Sequence, residues 1–240
     1  MSTLFISDLH LSQDRPEVTK LFLTFLQQHT ATADAVYILG DLFEVWLGDD
    51  MILPDYQSSI EQINNLVNNG VPVYVMYGNR DFLMREQFEN LSGATLIHEP
   101  HVIDLYGTKT LLMHGDTLCT DDVEYQKFRA MVRNPQWQDE MLAGSPAERL
   151  ALAKKFREIS KTETAQKENE IMDVNQDAVI QTLRDNKVTN LIHGHTHRPD
   201  THHFKVDNTN ATRIVLADWY KTGSYLSVDE NAYVTHQIKL

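Results

Sequence analysis

Residues 35–41 read Ala35-Val36-Tyr37-Ile38-Leu39-Gly40-Asp41, a largely apolar run that stops at a glycine and a carboxylate. A continuous run of that kind predicts a strand buried on both faces. The same grammar recurs on either side. Thr3-Leu-Phe-Ile-Ser7 stops at Asp8, and Val73-Tyr-Val-Met-Tyr77 stops at Gly78-Asn79-Arg80-Asp81. Helical segments separate these runs. Leu21, Phe22, Phe25 and Leu26 share one face, as do Ile60, Ile63 and Val67 over residues 58–68. Strand, helix, strand, helix, strand predicts an α/β protein with parallel pairing and right-handed crossovers.

Beyond this unit the texture changes. Val102 to Leu105 and Thr110 to Met113 predict a hairpin around Tyr106-Gly107, ending at His114-Gly115-Asp116. Residues 120–176 contain no strand pattern; they are polar, helix-prone and interrupted by Pro135 and Pro146. Strand texture returns at Thr189 to Ile192, ending at His193-Gly-His-Thr-His197, and residues 201–240 predict three or four antiparallel strands.

The chain has 240 residues, 42% hydrophobic, with a formal net charge of −13. That length suits a single domain, 1–240, carrying one large insertion. No apolar run approaches the ~18–20 residues that cross a bilayer. The first eight residues lack a basic region and predict no signal peptide. Cys119 is the only cysteine, which fits a reducing compartment. The acidic balance argues against nucleic acid as a partner, because a polyanionic backbone rewards cations. It leaves anionic substrates open, since bound metals invert the local charge of a site.

Each apolar strand delivers metal-ligand residue types where it ends: Asp8 and His10, Asp41, Asn79, His114, then His195 and His197. Strand ends are where open α/β sheets bind ligands. Oxygen and imidazole donors suit manganese, iron or zinc, and the lack of cysteine disfavours a structural zinc. Seven ligands exceed the need of one ion with an open position. They suit two ions about 3.5–4 Å apart that share a carboxylate. A lone histidine at a strand end is more often structural, and His29, His98, His101, His193, His202, His203 and His236 take that reading. Agreement among five separate elements favours a metal centre.

The blocks Asp8-Leu-His10, Gly40-Asp41-Leu-Phe-Glu44, Gly78-Asn79-Arg80-Asp81, His114-Gly115 and Gly194-His195-Thr-His197 resemble the calcineurin-like metallophosphoesterases. The resemblance implies a β-sandwich core flanked by helices, in αββα layers, with a helical cap at about 120–176. Longer stretches, Tyr37 to Glu44, Gly78 to Leu83, Met113 to Asp122, Ile171 to Gln176 and Ile192 to Pro199, are similar to the branch of that family that acts in lipid A assembly in Gram-negative bacteria. That similarity implies hydrolysis of the pyrophosphate of UDP-2,3-diacylglucosamine to UMP and 2,3-diacylglucosamine 1-phosphate. It implies a hydroxide bridging two manganese ions that attacks the α phosphorus, with magnesium, iron or zinc as second choices. Asp8, His10, Asp41 and His197 would hold one ion, and Asp41, Asn79, His114 and His195 the other. Arg80, Asp41 and Asn79 would carry catalysis. Asn79, Arg80, Asp122, Ser160, Thr164, Lys167 and His195 would contact substrate. The resemblance also implies a peripheral place on the cytoplasmic face of the inner membrane, with no stable protein partner.

One departure matters. Many family members carry histidine after the Gly-Asn pair, as leaving-group acid or oxyanion stabiliser; this chain carries Arg80. Arginine does not release a proton near neutrality, so it can only clamp phosphate oxygens and offset developing charge. Such a site favours a leaving group that needs little protonation, as a phosphate does.

The insertion has its own logic. Ser145-Pro-Ala-Glu148 predicts a capped helix start. Leu152, Phe156 and Ile159 then share a face, and Arg149, Lys154, Lys155, Arg157, Lys161 and Lys167 outnumber Glu158 and Glu163. A basic amphipathic segment in an acidic chain predicts a cover for an anionic, acylated substrate or a membrane-facing surface. Tyr125, Phe128 and Trp137 are candidates for an acyl-chain lining or for ordinary core. Two other readings compete: a phosphodiesterase or phosphatase of different substrate, and a scaffold that has lost its metals. Arg80 and the insertion argue against the former, and the intact ligand set against the latter.

Overall fold

The structure, a computed structural model, describes residues 2–166, 171–220 and 222–239, with the backbone alone over 160–166. The predicted α/β unit forms as read. β1 (Ser2–Ile6), β2 (Ala33–Leu39) and β3 (Val73–Met76) pair in parallel, linked by α1 (Pro16–Gln28) and α2 (Gln57–Asn68). α1 buries Val18, Leu21, Phe22, Phe25 and Leu26. On α2 Leu66 takes the buried position that the sequence suggests for Val67, which is partly buried beside it. Two short elements escape the sequence reading: α3 (Glu86–Ser92) and β4 (Thr95–Ile97), the latter too short to show a period.

The hairpin forms from β5 (His101–Leu105) and β6 (Thr108–Met113). Its turn residues Tyr106 and Gly107 both have positive φ, 51° and 84°, the twist that matches a two-residue connection. The region that follows holds α4 (Val123–Val132), α5 (Pro135–Ala143) and α6 (Pro146–Gln166), then α7 (Gln176–Asn186), with no strand among its described residues. At the start of α6 the Ser145 amide donates to Glu148 Oε2 at 2.8 Å and the Glu148 amide donates to Ser145 Oγ at 3.4 Å, the reciprocal pair of a capping box.

The tail holds four strands after β7 (Asn190–His193): β8 (Asp200–Val206), β9 (Thr209–Val215), β10 (Gly223–Val228) and β11 (Tyr233–Ile238). They do not make one antiparallel unit. β10 and β11 extend the first sheet, in the order β11-β10-β1-β2-β3-β4. β8 and β9 join a second sheet, β5-β6-β7-β9-β8, in which β9 runs parallel to β7.

The two sheets face each other across Phe5, Leu39, Met76, Leu112, Ile192 and Ile214. α1, α2 and α3 cover the outer face of the first sheet through Phe22, Phe25, Ile63 and Phe88. α7 covers the second through Val179 and Leu183. The layers are therefore αββα. The inner strands are apolar on both faces because each face meets either the other sheet or a helix.

Candidate metal centre

The loops that follow β1, β2, β3, β6 and β7 meet at one edge of the sandwich, and main-chain hydrogen bonds join them. The Asp8 amide donates to Gly40 O at 3.1 Å, His10 to Asp41 O at 2.9 Å, and Gly194 to His114 O at 2.9 Å. Asp81 sits fully buried beneath and accepts from the amides of Leu42 and Gly78, both at 2.8 Å, tying the second loop to the third. A β-carbon on Gly78 would collide with Asp41, and one on Gly194 with Asp8, so the loops approach as closely as they do only because these residues lack one.

Backbone strain concentrates here. Asp8, His10, Asp41, His195 and His197 all have φ between 50° and 68°. Non-glycine residues rarely occupy that region, and such strain persists only where the surroundings impose it.

The side chains converge. Asp41 Oδ2 lies 3.6 Å from His10 Nε2 and 3.9 Å from His114 Nε2. Asn79 Oδ1 lies 3.0 Å from His114 Nε2 and 3.1 Å from His195 Nδ1. Asp8 Oδ1 lies 3.4 Å from His197 Nε2. Asp8 stands in both of the tight carboxylate and imidazole groups, with His10 and His197 in one and with Asp41 and His114 in the other. All seven predicted ligands thus come together, and the structural reading of His193 holds. Its Nδ1–H donates to Gly194 O at 2.8 Å while its Nε2 accepts from buried Arg213 at 3.2 Å, so both ring nitrogens are occupied and the turn before His195 is braced.

These residues fit a divalent cation. Asp8 Oδ1, His10 Nδ1 and His10 Nε2 are buried yet make no hydrogen bond, an arrangement costly unless something else satisfies them. Protonation shows the same hunger for positive charge. Burial works against charging His114, but Asp41, Asp8, Asp116 and Glu99 outweigh it and lift its pKa to about 9. His197 rises to about 10 because the carboxylates of Asp218 and Asp8 beside it overcome its burial. Burial and the neighbouring His114 lower His195 to about 4. In a centre without metal the two raised imidazoles carry the charge that a cation would supply.

A family profile described as calcineurin-like phosphoesterase matches residues 1–199. This chain is a calcineurin-like phosphoesterase. The family implies a divalent metal, and the enzyme is a metal-dependent hydrolase. The phosphoesterase is 46% identical over 240 residues to a UDP-2,3-diacylglucosamine hydrolase of Stenotrophomonas maltophilia (strain R551-3), covering 97% of each chain. It is 48% identical over 223 residues to a protein of the same name from Cellvibrio japonicus (strain Ueda107), covering 93% of each. Vacuolar protein sorting 29 from Cryptosporidium parvum shares the fold, with a TM-score of 0.52 at 14% identity over 98% of this chain and 89% of that one.

Residues outside the predicted set complete the phosphoesterase's centre. Glu44 Oε2 stands 3.4 Å from His10 Nδ1, and Asp218 Oδ2 stands 3.2 Å from His197 Nδ1. Each carboxylate holds the far side of an imidazole and fixes its orientation. Behind His114, Glu99 accepts its amide at 2.9 Å; Arg129 joins Glu99 at 2.6 Å to Asp116 at 2.8 Å, and the Tyr125 hydroxyl donates to Asp116 at 2.7 Å. Glu44 closes the Gly-Asp block and Asp116 follows His114-Gly115, so both were visible in the sequence without a stated role. Asp218 and Glu99 lie outside every motif.

Arg80 sits at the rim. Its amide donates to Asp41 Oδ1 at 2.9 Å, and its buried Nε makes no hydrogen bond. Asp122 is nearly buried and caps α4, accepting from the Tyr125 amide at 3.1 Å. The side chains of Ser160 and Thr164, and Lys167 entirely, lie outside the described residues. Arg149 does not join the basic face expected of it: it is buried, with Nη1 and Nη2 each 2.6 Å from Asp50 and further bonds to Leu47 O and Gly144 O. Arg157 lies over the centre, 3.3 Å from Glu44. Phe156 packs on Phe128 at 5.1 Å and on Trp137 at 6.2 Å, all three half-buried, and Tyr125 approaches His195 at 5.9 Å.

Proposed function

We propose that this phosphoesterase hydrolyses the pyrophosphate bond of UDP-2,3-diacylglucosamine, releasing UMP and 2,3-diacylglucosamine 1-phosphate. The names of near-full-length relatives support that substrate. The observation that carries the reading is Arg80: its amide bonds Asp41 beside the ligand cluster, and its buried guanidinium Nε makes no hydrogen bond among the described residues. Asp8, His10, Asp41 and His197 would hold one manganese ion, and Asp41, Asn79, His114 and His195 a second, with Asp41 shared between them. The ions supply Lewis acidity and lower the pKa of water.

The protein's own residues do the rest. Glu44 and Asp218 keep the His10 and His197 rings from turning. Asn79 presents an amide oxygen that adds no charge. Arg80 clamps the phosphoryl oxygens and opposes the charge that grows on them; it passes no proton, and the departing sugar phosphate needs none. α4, α5 and α6 would form a cap in which Phe128, Trp137 and Phe156 receive acyl chains. The exposed side chains of Lys154, Lys155 and Ile159 suit an anionic lipid surface, consistent with a peripheral place on the inner membrane. Among the described residues no helix is long and apolar enough to cross a membrane.

The test is mass spectrometry of the manganese-loaded enzyme with UDP-2,3-diacylglucosamine in oxygen-18 water. The expected result is UMP carrying the label. Label in the sugar phosphate would move the attack to the other phosphorus, and absence of UMP would reject the substrate.

A further inference from the structure

A cavity of about 350 Å³ opens between the segment 77–85 and helices α4 and α5. Its wall contains Arg85, Arg129, Arg133 and His98, with Tyr77 and Phe82 supplying ring surface, and none of the seven ligand residues of the metal centre. In a chain of net charge −13 that concentration of guanidinium groups is unusual.

The charges are unequally committed. Arg129 is used up by Asp116 and Glu99, which is also the carboxylate in the wall. Arg85 pairs with Asp139, but both side chains are largely exposed, so water competes for the pair. Arg133 has no carboxylate partner among the described residues; it donates to Gly78 O at 2.8 Å and lies 5.3 Å over the Phe82 ring. One guanidinium in no ion pair among the described residues and one loosely held flank a space of the size that takes a small organic ligand. Planar guanidinium donors match the oxygens of a phosphoryl group, and Phe82 and Tyr77 offer a face to whatever it esterifies.

We propose that this cavity is a second binding site, outside the metal centre, for a phosphomonoester whose anionic end meets Arg133 and Arg85. Its position gives it a consequence. Gly78 precedes Asn79, so an anion on Arg133 acts on the residue that holds the carbonyl just before a metal ligand.

The test is equilibrium dialysis of the manganese-loaded enzyme against phenylphosphonate, which cannot be hydrolysed as an ester, with inorganic phosphate in parallel. It needs no turnover, so its outcome is independent of the substrate proposed above. The wild type should bind two phosphonates per chain, one at the metals and one in the cavity. Arg133→Gln should weaken the second event by about tenfold or more, the effect of losing a hydrogen bond to a charged group, with metal content unchanged. His98→Gln, at an exposed position, should weaken it as well. Inorganic phosphate should bind the cavity less tightly than phenylphosphonate, because it lacks the ring. A single phosphonate per chain in the wild type, or a second event unmoved by both substitutions, would overturn the proposal.

Discussion

Arg157 Nη2 lies 3.3 Å from Glu44 Oε1, and the other oxygen of the same carboxylate faces His10. α6 thus reaches the carboxylate that stands beside His10, one of the predicted ligands. The adjacent His10 imidazole and the charges of Arg80 and Arg157 outweigh burial and hold the Glu44 carboxyl below its usual range. The insertion and the centre therefore share one ionised carboxylate, and substitutions in either should be felt in the other.

Asp41→Ala should abolish hydrolysis and lower bound metal, since Asp41 Oδ2 lies between the imidazoles of His10 and His114. Metal analysis by mass spectrometry beside the activity assay checks this. An active variant with its full metal complement would remove Asp41 from the centre.

Arg80→Ala should depress kcat by ~10²–10³, or ~2.7–4 kcal/mol, the scale for losing one donor to developing charge. Metal content should not change, and Arg80→Lys should restore activity only in part, having no planar fork. A rise in KM alone would make Arg80 a binding residue instead.

The metal-free enzyme should lose stability in alkali. His114 and His197 titrate at about 9 and about 10 against an ordinary 6.5. A raised folded-state pKa contributes stability that is complete below 6.5 and is lost as pH climbs through 9 to 10. Both imidazoles must also shed a proton to ligate, so manganese uptake at pH 7.5 should release protons and weaken as the pH falls. Thermal melts of chelated protein from pH 6 to 10, and proton release in weak buffer, report the two effects. A flat melting profile would contradict the assigned charge states.

Arg149→Ala should destabilise the fold by about 1–3 kcal/mol, because it leaves the carbonyls of Leu47 and Gly144 without their donor. The exposed Asp50 keeps the ion-pair share small. Urea unfolding measures it, and a midpoint equal to wild type would show that α6 does not depend on this anchor.

Phe156→Asp should lower kcat/KM on the diacylated substrate far more than on a small activated phosphodiester. Each buried CH₂ of an acyl chain is worth ~0.8 kcal/mol, against ~0–1 for an exposed charge pair. Equal losses on both, in a folded variant, would make Phe156 part of the core.

The sequence by itself determined the strand ends. Apolar runs that halt at glycine and a ligand type left few places for Asp8, Asp41, Asn79, His114 and His195 to go, because parallel crossovers bring successive strand ends to one edge. It also determined the hairpin at Tyr106-Gly107 and the start of α6 at Ser145, since turns and caps are local chemistry. What it left open depends on distance in three dimensions. The tail strands divide between two sheets because β10 meets β1 and β9 meets β7, a choice made by partners more than a hundred residues away for one and about twenty for the other. Asp218 and Glu99 acquire roles only where folding sets them against His197 and His114. Arg149 and Arg157 lie eight residues apart and look alike in the sequence, yet one is buried against Asp50 and the other lies over Glu44. Charge pattern records how many cations a segment carries; only packing decides which of them meets a carboxylate away from water.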